Sequence, residues 1–286
     1  MDRFTGDAAV NERLELARGL ACRVGRDALE FREVRGRDAL GTKIKSLQDF
    51  VTEADLKAEK TIRAELAHHF PEDGFLGEET GGAPTSAGYW VVDPIDGTAN
   101  FLRGLRHWGV SIAYVADERI QLGVVYDPPN DLTYHARAGQ GAFCNDRSIS
   151  VSGNVDPHTA LGIVGVSRRT GFDRYLGFLR VLHDAGIEHR RIGSAAIGLA
   201  RVADGVADFY FEAHLNCWDA LAGMLIAQEA GARVIAPPLE RFTACGGAVL
   251  CGVPAMVELI DALASDLHGN APDGEAAVSE AAPWTE

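Results

Sequence analysis

The stretch Trp90-Val91-Val92-Asp93-Pro94-Ile95-Asp96-Gly97-Thr98-Ala99-Asn100-Phe101 decides how the chain is read. An apolar run over residues 89–92 stops at a carboxylate, and Pro94 and Gly97 break regular structure beyond it. Two acids therefore stand at the end of an expected strand, followed by Thr98 and a helix start. Metal-binding carboxylates are held in this way, on a rigid element and pointing out of its end. Asp-Pro and Asp-Gly are also ordinary turn dipeptides. The stretch by itself leaves a metal site and a solvated turn both open.

The composition narrows the field. The chain has 286 residues, 47% of them apolar and 24% charged, enough for a large core in one or two domains. A formal charge of −14 argues against nucleic acid as the main partner. It would also repel an anionic substrate unless bound cations reverse the field locally. The five cysteines form no Cys-x-x-Cys pair, which points to free thiols in a reducing compartment. Residues 1–11 carry no apolar signal-peptide core, and no apolar run is long enough to span a bilayer. A cytoplasmic protein with no membrane partner is expected.

Along the chain, apolar spacing predicts a long helix over residues 8–32. Thr52 and Asp55 form an approximate capping box ahead of a helix over 56–70, so Asp55 reads first as a first-turn acid that favours the helix dipole. Phe75-Leu76-Gly77 delivers Glu78-Glu79 toward a segment, 81–88, with the composition of a mobile loop. If strand alternation holds there, one of the two glutamates faces inward and the other does not. Residues 109–116 and 120–126 read as strands of a hairpin turning at Asp117-Glu118. Turn signals near 150–160 suggest a boundary between residues 1–152 and 153–268. Beyond it, strand and helix patterns alternate, as in an α/β layer. A strand over 207–211 is expected to end at Glu212, and a helix with Asp219 in its first turn begins at Cys217. Residues 269–286 lack periodicity and read as a disordered tail.

The acids at element ends are Asp55, Glu78, Glu79, Asp93, Asp96 and Asp219. Clustered without cations they would repel one another, and some would have to be protonated. Mg²⁺, a hard ion that takes carboxylates, waters and substrate phosphate, makes sense of such a set. The scattered histidines form no His-x-x-x-His pair, which disfavours zinc. Gly97-Thr98 at a helix start offers backbone N–H groups to a phosphate oxygen, and the Thr98 hydroxyl can orient a water. No Gly-x-Ser-x-Gly elbow or Walker A loop competes with this reading.

These motifs resemble those of the inositol monophosphatase family. The opening stretch resembles its first signature, and Trp218-Asp219-Ala220-Leu221-Ala222-Gly223 through Glu229-Ala230-Gly231 its second. Asp49-Phe50-Val51-Thr52-Glu53-Ala54-Asp55 and Gly77-Glu78-Glu79 fall in the same order at similar separations. The likeness runs over about residues 10–265. It implies a mixed α+β fold layered α/β/α/β/α, of the type shared with fructose-1,6-bisphosphatase, and usually a homodimer. It also implies lithium-sensitive hydrolysis of phosphate monoesters by attack of a metal-activated water, with two to three Mg²⁺ ions.

Carried over by position, Glu78, Asp93 and the Ile95 carbonyl match one metal site. Asp93, Asp96 and Asp219 match a second, and Glu78 would reach a third ion through water. Glu78 and Thr98 would place the water, with Asp55 supporting Thr98. The phosphate and polyol positions are Asp96, Gly97, Thr98, Gly193, Ser194, Ala195, Glu212 and Asp219. Ala99 departs from the usual second threonine, and Ala213-His214 and Asn216 sit where the family varies. Inositol 1-phosphate or a related polyol phosphate is the implied substrate. Histidinol phosphate, fructose 1,6-bisphosphate, NADP or a nucleotide 3′-phosphate are the alternatives on the same scaffold. A regulatory or RNA-associated protein that keeps the fold is the alternative of another class.

Overall fold

The computed structural model describes residues 3–36, 40–46, 49–85 and 88–264. The tail expected over 269–286 lies outside them. Helix α1 (Arg3–Arg35) leads to the hairpin β1 (Lys43–Ser46) and β2 (Asp49–Val51), and then to α2 (Glu53–His69). Strands β3 (Gly74–Gly77), β4 (Gly81–Ala83) and β5 (Tyr89–Asp96) follow, then the short α3 (Thr98–Arg103). Next come β6 (Gly109–Ala116), β7 (Arg119–Asp127), β8 (Leu132–Arg137), β9 (Ala142–Cys144) and β10 (Arg147–Ile149). The remainder alternates: β11 (Leu161–Val164), α4 (Phe172–Asp184), β12 (Glu188–Arg190), α5 (Ala195–Ala203), β13 (Phe209–Leu215), α6 (Cys217–Glu229), β14 (Arg233–Ile235), α7 (Leu239–Cys245), β15 (Gly247–Gly252) and α8 (Pro254–Leu263).

Strand alternation sorts these elements into layers. Trp90 and Val92 of β5, with Val110, Ile112 and Tyr114 of β6, pack on Leu14, Ala17 and Leu20 of α1 and on Ile62 and Leu66 of α2. Val91, Ala113 and Val115 project from the opposite face onto α5 and α6. The second sheet repeats the pattern. Ile163, Tyr210 and Cys251 face α5 and α6, whereas Val164, Phe209 and Phe211 face Phe178 of α4 and Met256 and Ile260 of α8. The order is helix, sheet, helix, sheet, helix, as the family resemblance implies. Each of the larger aliphatic and phenylalanine side chains among these, fully buried, contributes on the order of 1.5–3 kcal/mol.

Among the described residues the first sheet runs β10-β9-β8-β7-β6-β5-β3-β4 and the second β12-β11-β13-β15-β14. The Asp117-Glu118 hairpin forms as expected; both residues take the left-handed φ (51° and 58°) that a two-residue turn of this hand needs. Two expectations change. The segment expected as a loop over 81–88 begins with β4, which pairs antiparallel with β3. Glu212 does not end its strand: β13 runs on to Leu215 because β15 continues to pair with it.

α5 is pinned to the first sheet at its C-terminal end. Arg201 lies 2.9 Å from the fully buried Asp127 at the end of β7 and 3.1 Å from Asp204, and donates to the Tyr134 hydroxyl at 2.6 Å. Among the described residues no helix is long and apolar enough to cross a membrane.

Candidate active site

Asp93 follows Val91 on the face of β5 that looks toward α6, so alternation alone aims it at Asp219. Asp96, an odd number of residues further on, would point the other way in a regular strand. It does not, because β5 bulges. Asp93 pairs with Ser111 and Asp96 with Gly109, so β5 carries one residue more than β6 across this interval. Pro94, which has no N–H to give a ladder, sits inside the bulge. Oxygens of Asp93, Asp96 and Asp219 consequently lie within 4.8 Å of one another. A second bulge lies at the cavity edge of β13, immediately after Glu212, where pairing shifts between Glu212–Val249 and Leu215–Gly247.

Each acid is fixed by its own local structure. Asp93 Oδ1 accepts from the Ile95 N–H at 2.9 Å. Asp96 Oδ2 accepts from Ser194 Oγ and from the Ala196 N–H (2.7 Å), so it sits at the positive end of α5. Ser194 is also the N-cap of that helix. Asp219 closes a capping box with Asn216, accepting from its N–H at 2.9 Å and its Nδ2 at 3.2 Å. The β6 side chain Ser111 ties the start of α6 to the sheet through the Trp218 carbonyl, 2.9 Å away.

Glu78 and Glu79 lie in the turn after β3, which ends at Gly77, so strand alternation does not govern them. Glu78 hydrogen-bonds Asp93, and its charge is felt at Asp219. The charge of Glu79 is felt at Asp55. Asp55 makes the expected capping box with Thr52 and also receives Thr98 Oγ1 at 3.2 Å. The same hydroxyl lies 3.0 Å from the Ile95 carbonyl. Gly97 takes φ 92°, a left-handed turn into α3; a side chain there would be strained, and its Cβ would stand 2.9 Å from the His107 carbonyl. Asn100 Nδ2 holds the facing loop, donating to the His107 and Ile192 carbonyls at 2.5 and 2.7 Å.

These residues open on a cavity of about 620 Å³. Asp96, Gly97 and Thr98 line one side, Gly193, Ser194 and Ala195 another, and Glu212 and Asp219 close it. All the positions that the resemblance assigns to phosphate and polyol thus meet in one place. Asp93, Glu78 and Asp55 do not line the cavity themselves; Asp93 joins it through its cluster with Asp96 and Asp219, and Asp55 through Thr98. Arg191, His107 and Tyr210 also line the cavity and were not singled out from the sequence. For Tyr210 a signal existed: it lies two residues before Glu212, on the same face of a strand, and its hydroxyl donates to Glu212 at 2.5 Å.

Burial and mutual repulsion dominate the electrostatics. Asp93 is held well above the usual carboxylate range by burial, and further by the charges of Glu78, Asp96 and Asp219. Asp219 is raised likewise by burial, Asp96 and Glu78. Burial lifts Asp96 to about 6 against the opposing bonds from Ser194 and Ala196. It lifts Asp55 to about 6 against Thr52, and Glu212 to about 7 against Tyr210. Among the described residues no lysine or arginine donates to Asp93, Asp96 or Asp219. With Asp93 and Asp96 buried, Asp219 half-buried and no cationic side chain donating to them, this oxygen-only donor set fits a hard divalent cation, whose charge would let all three ionise.

A model of the inositol monophosphatase family matches residues 11–268. Inositol-1-monophosphatase of Rhizobium meliloti is 38% identical over 238 residues, covering 79% of this chain and 85% of that protein. A Nus factor SuhB of Pseudomonas aeruginosa is 40% identical over 227 residues, 75% of this chain and 83% of that protein. The crystal structure of the extragenic suppressor protein suhB from Bartonella henselae superposes with a TM-score of 0.83 at 32% identity, covering 91% of this chain and 100% of that one. With the layered fold and the acid-lined cavity already in place, the match across the chain makes it a phosphatase that belongs to the inositol monophosphatase family.

Proposed function

We propose that the protein is an Mg²⁺-dependent phosphomonoesterase that hydrolyses inositol 1-phosphate or a closely related polyol phosphate. The observation that supports this reading most directly is the cluster of Asp93, Asp96 and Asp219 opening on the cavity that Gly97, Thr98, Ser194 and Glu212 line. Glu78, Asp93 and the Ile95 carbonyl would hold one ion and Asp93, Asp96 and Asp219 another, with Glu78 contributing to a third through water. Bound Mg²⁺ supplies neutralisation of phosphate charge and a lower pKa for water in the site.

The chain's own groups do the rest. Thr98, its hydroxyl set between Asp55 and the Ile95 carbonyl, orients the attacking water with Glu78. The backbone N–H groups of Gly97 and Thr98 face the phosphate oxygens. Water attacks phosphorus, the bond to the alcohol oxygen breaks, and the proton that the water gives up ends on that oxygen. Gly193, Ser194, Ala195 and Glu212 hold the alcohol through its hydroxyls. A homodimer in the cytoplasm belongs to the same reading.

A carboxylate at 212 accepts bonds from polyol hydroxyls and pairs equally well with an ammonium, so histidinol phosphate is the main competitor. Fructose 1,6-bisphosphate, NADP and nucleotide 3′-phosphates follow. Phosphate release with Mg²⁺ across this panel tests the reading. The highest kcat/KM is expected for inositol 1-phosphate; no release from any substrate by folded protein would overturn it. A second reading, a regulatory or RNA-associated protein on the same fold, draws on the name Nus factor carried by the Pseudomonas relative. The charge of −14 weighs against direct RNA binding.

A further inference from the structure

One buried acid beside the site has no part in the chemistry above. Glu59 on α2 is 0% exposed. Its Oε2 accepts from the Glu79 N–H and its Oε1 from the Thr80 N–H, both at 2.8 Å, and the Thr80 hydroxyl donates to Oε1 as well. A carboxyl group deep in a fold is costly unless hydrogen-bonded, and here the donors come from the turn that carries Glu78 and Glu79. The approach is close enough to exclude a side chain next to it: a Cβ on Gly77 would stand 2.5 Å from the Glu59 carboxylate.

Glu59 is one of three residues at four-residue spacing on α2. Asp55, one turn before it, receives Thr98. Arg63, one turn after it, donates to the Thr80 hydroxyl and the Gly81 carbonyl at 2.6 Å. Residues four apart lie one above the other on a helix. A single stripe of α2 therefore grips both the start of α3 and the turn after β3. These two pieces of chain carry Thr98 and Glu78, the two groups that must be set against each other for a water to stand between them.

We propose that Glu59 is a positioning residue that fixes the Glu78–Glu79 turn, so that α2 sets the distance between Glu78 and Thr98. The proposal rests on the reading of Glu78 as a metal ligand. Glu59→Gln keeps the shape but turns an amide NH₂ toward backbone N–H groups that need an acceptor. Two readouts independent of turnover test it: hydrogen exchange of the Glu79 and Thr80 amides in metal-free protein, and calorimetric titration with Mg²⁺ alone. Glu59→Gln should speed exchange at those two amides by about tenfold or more and weaken Mg²⁺ binding by about 10–100-fold, with Glu59→Asp recovering part of the loss. Thr80→Val, at an exposed position, removes one of the three donors and should move both readouts the same way by a smaller factor. If Glu59→Gln fails to fold, the Thr80→Val result decides. A lower melting temperature with unchanged Mg²⁺ affinity would make Glu59 merely structural and overturn the proposal, as would wild type that binds no Mg²⁺. Mg²⁺ binding that responds to Glu59→Gln in a protein that releases no phosphate would uphold the positioning role and sink the phosphatase substrate reading instead.

Discussion

Thr98 Oγ1 stands 3.2 Å from Asp55 Oδ1, joining the first turn of α3 to the first turn of α2. The other oxygen of Asp55 is committed to the Thr52 N–H at 2.9 Å. One carboxylate thus caps a helix and orients a hydroxyl at the cavity. The capping box expected from the sequence forms, and the same carboxylate also accepts from the Thr98 hydroxyl.

Asp55→Asn should therefore separate the two roles. The amide still fits the cap, and the chain should fold, but Thr98 loses a charged acceptor. We expect kcat for inositol 1-phosphate to fall about 100-fold with KM changed by less than about threefold. Steady-state kinetics at saturating Mg²⁺ check this; an equal loss in Thr98→Ala would show that the pair acts as a unit.

The Arg201–Asp127 pair predicts a stability effect away from the chemistry. Asp127 is 0% exposed, and Arg201→Met leaves its carboxylate without a cation. Removing one partner of such a pair costs about 3 kcal/mol, equivalent to a melting temperature lower by roughly 5–10 °C. Because Arg201 anchors the far end of the helix whose N-terminus holds Asp96, Mg²⁺ affinity should fall as well. Scanning calorimetry with and without Mg²⁺ reads both.

Glu212 predicts a pH dependence. Burial raises its folded pKa to about 7, above the ordinary glutamate value. Its protonated form therefore favours folding; that contribution is complete below the unfolded pKa and is lost as pH rises through about 7. Glu212→Gln removes the titration. In metal-free protein the melting temperature of the variant should gain on wild type between about pH 5 and about pH 8. A constant difference across that range would place the Glu212 pKa near its ordinary value.

Much of this architecture was legible in local patterns. The Thr52–Asp55 capping box, the Asp117-Glu118 turn and the alternation after residue 160 depend on neighbours in sequence, and all three form. What escaped depends on partners far along the chain. Three-residue strands such as β4, β10 and β14 carry too few residues to show a period and exist because a neighbour pairs with them. The bulge that turns Asp96 to the side of Asp93 is a register difference between β5 and β6, visible only once they pair. Glu78 and Glu79 escape strand alternation because β3 stops one residue earlier, at Gly77. Glu59 left a trace, four residues after Asp55 on the buried face of α2, but its partners in the Glu79–Thr80 turn are set by tertiary structure.

Asp93 is 2% exposed, bonds to Glu78, and lies in the cluster with Asp96 and Asp219. The most direct measurement is Mg²⁺-dependent phosphate release from inositol 1-phosphate by Asp93→Asn beside wild type, with folding verified by circular dichroism. Wild type should release phosphate only with Mg²⁺, and the folded variant should lose about 1000-fold or more in kcat/KM. Turnover by the variant within about threefold of wild type at the same Mg²⁺ concentration would contradict a shared metal ligand at Asp93 and the centre built on it.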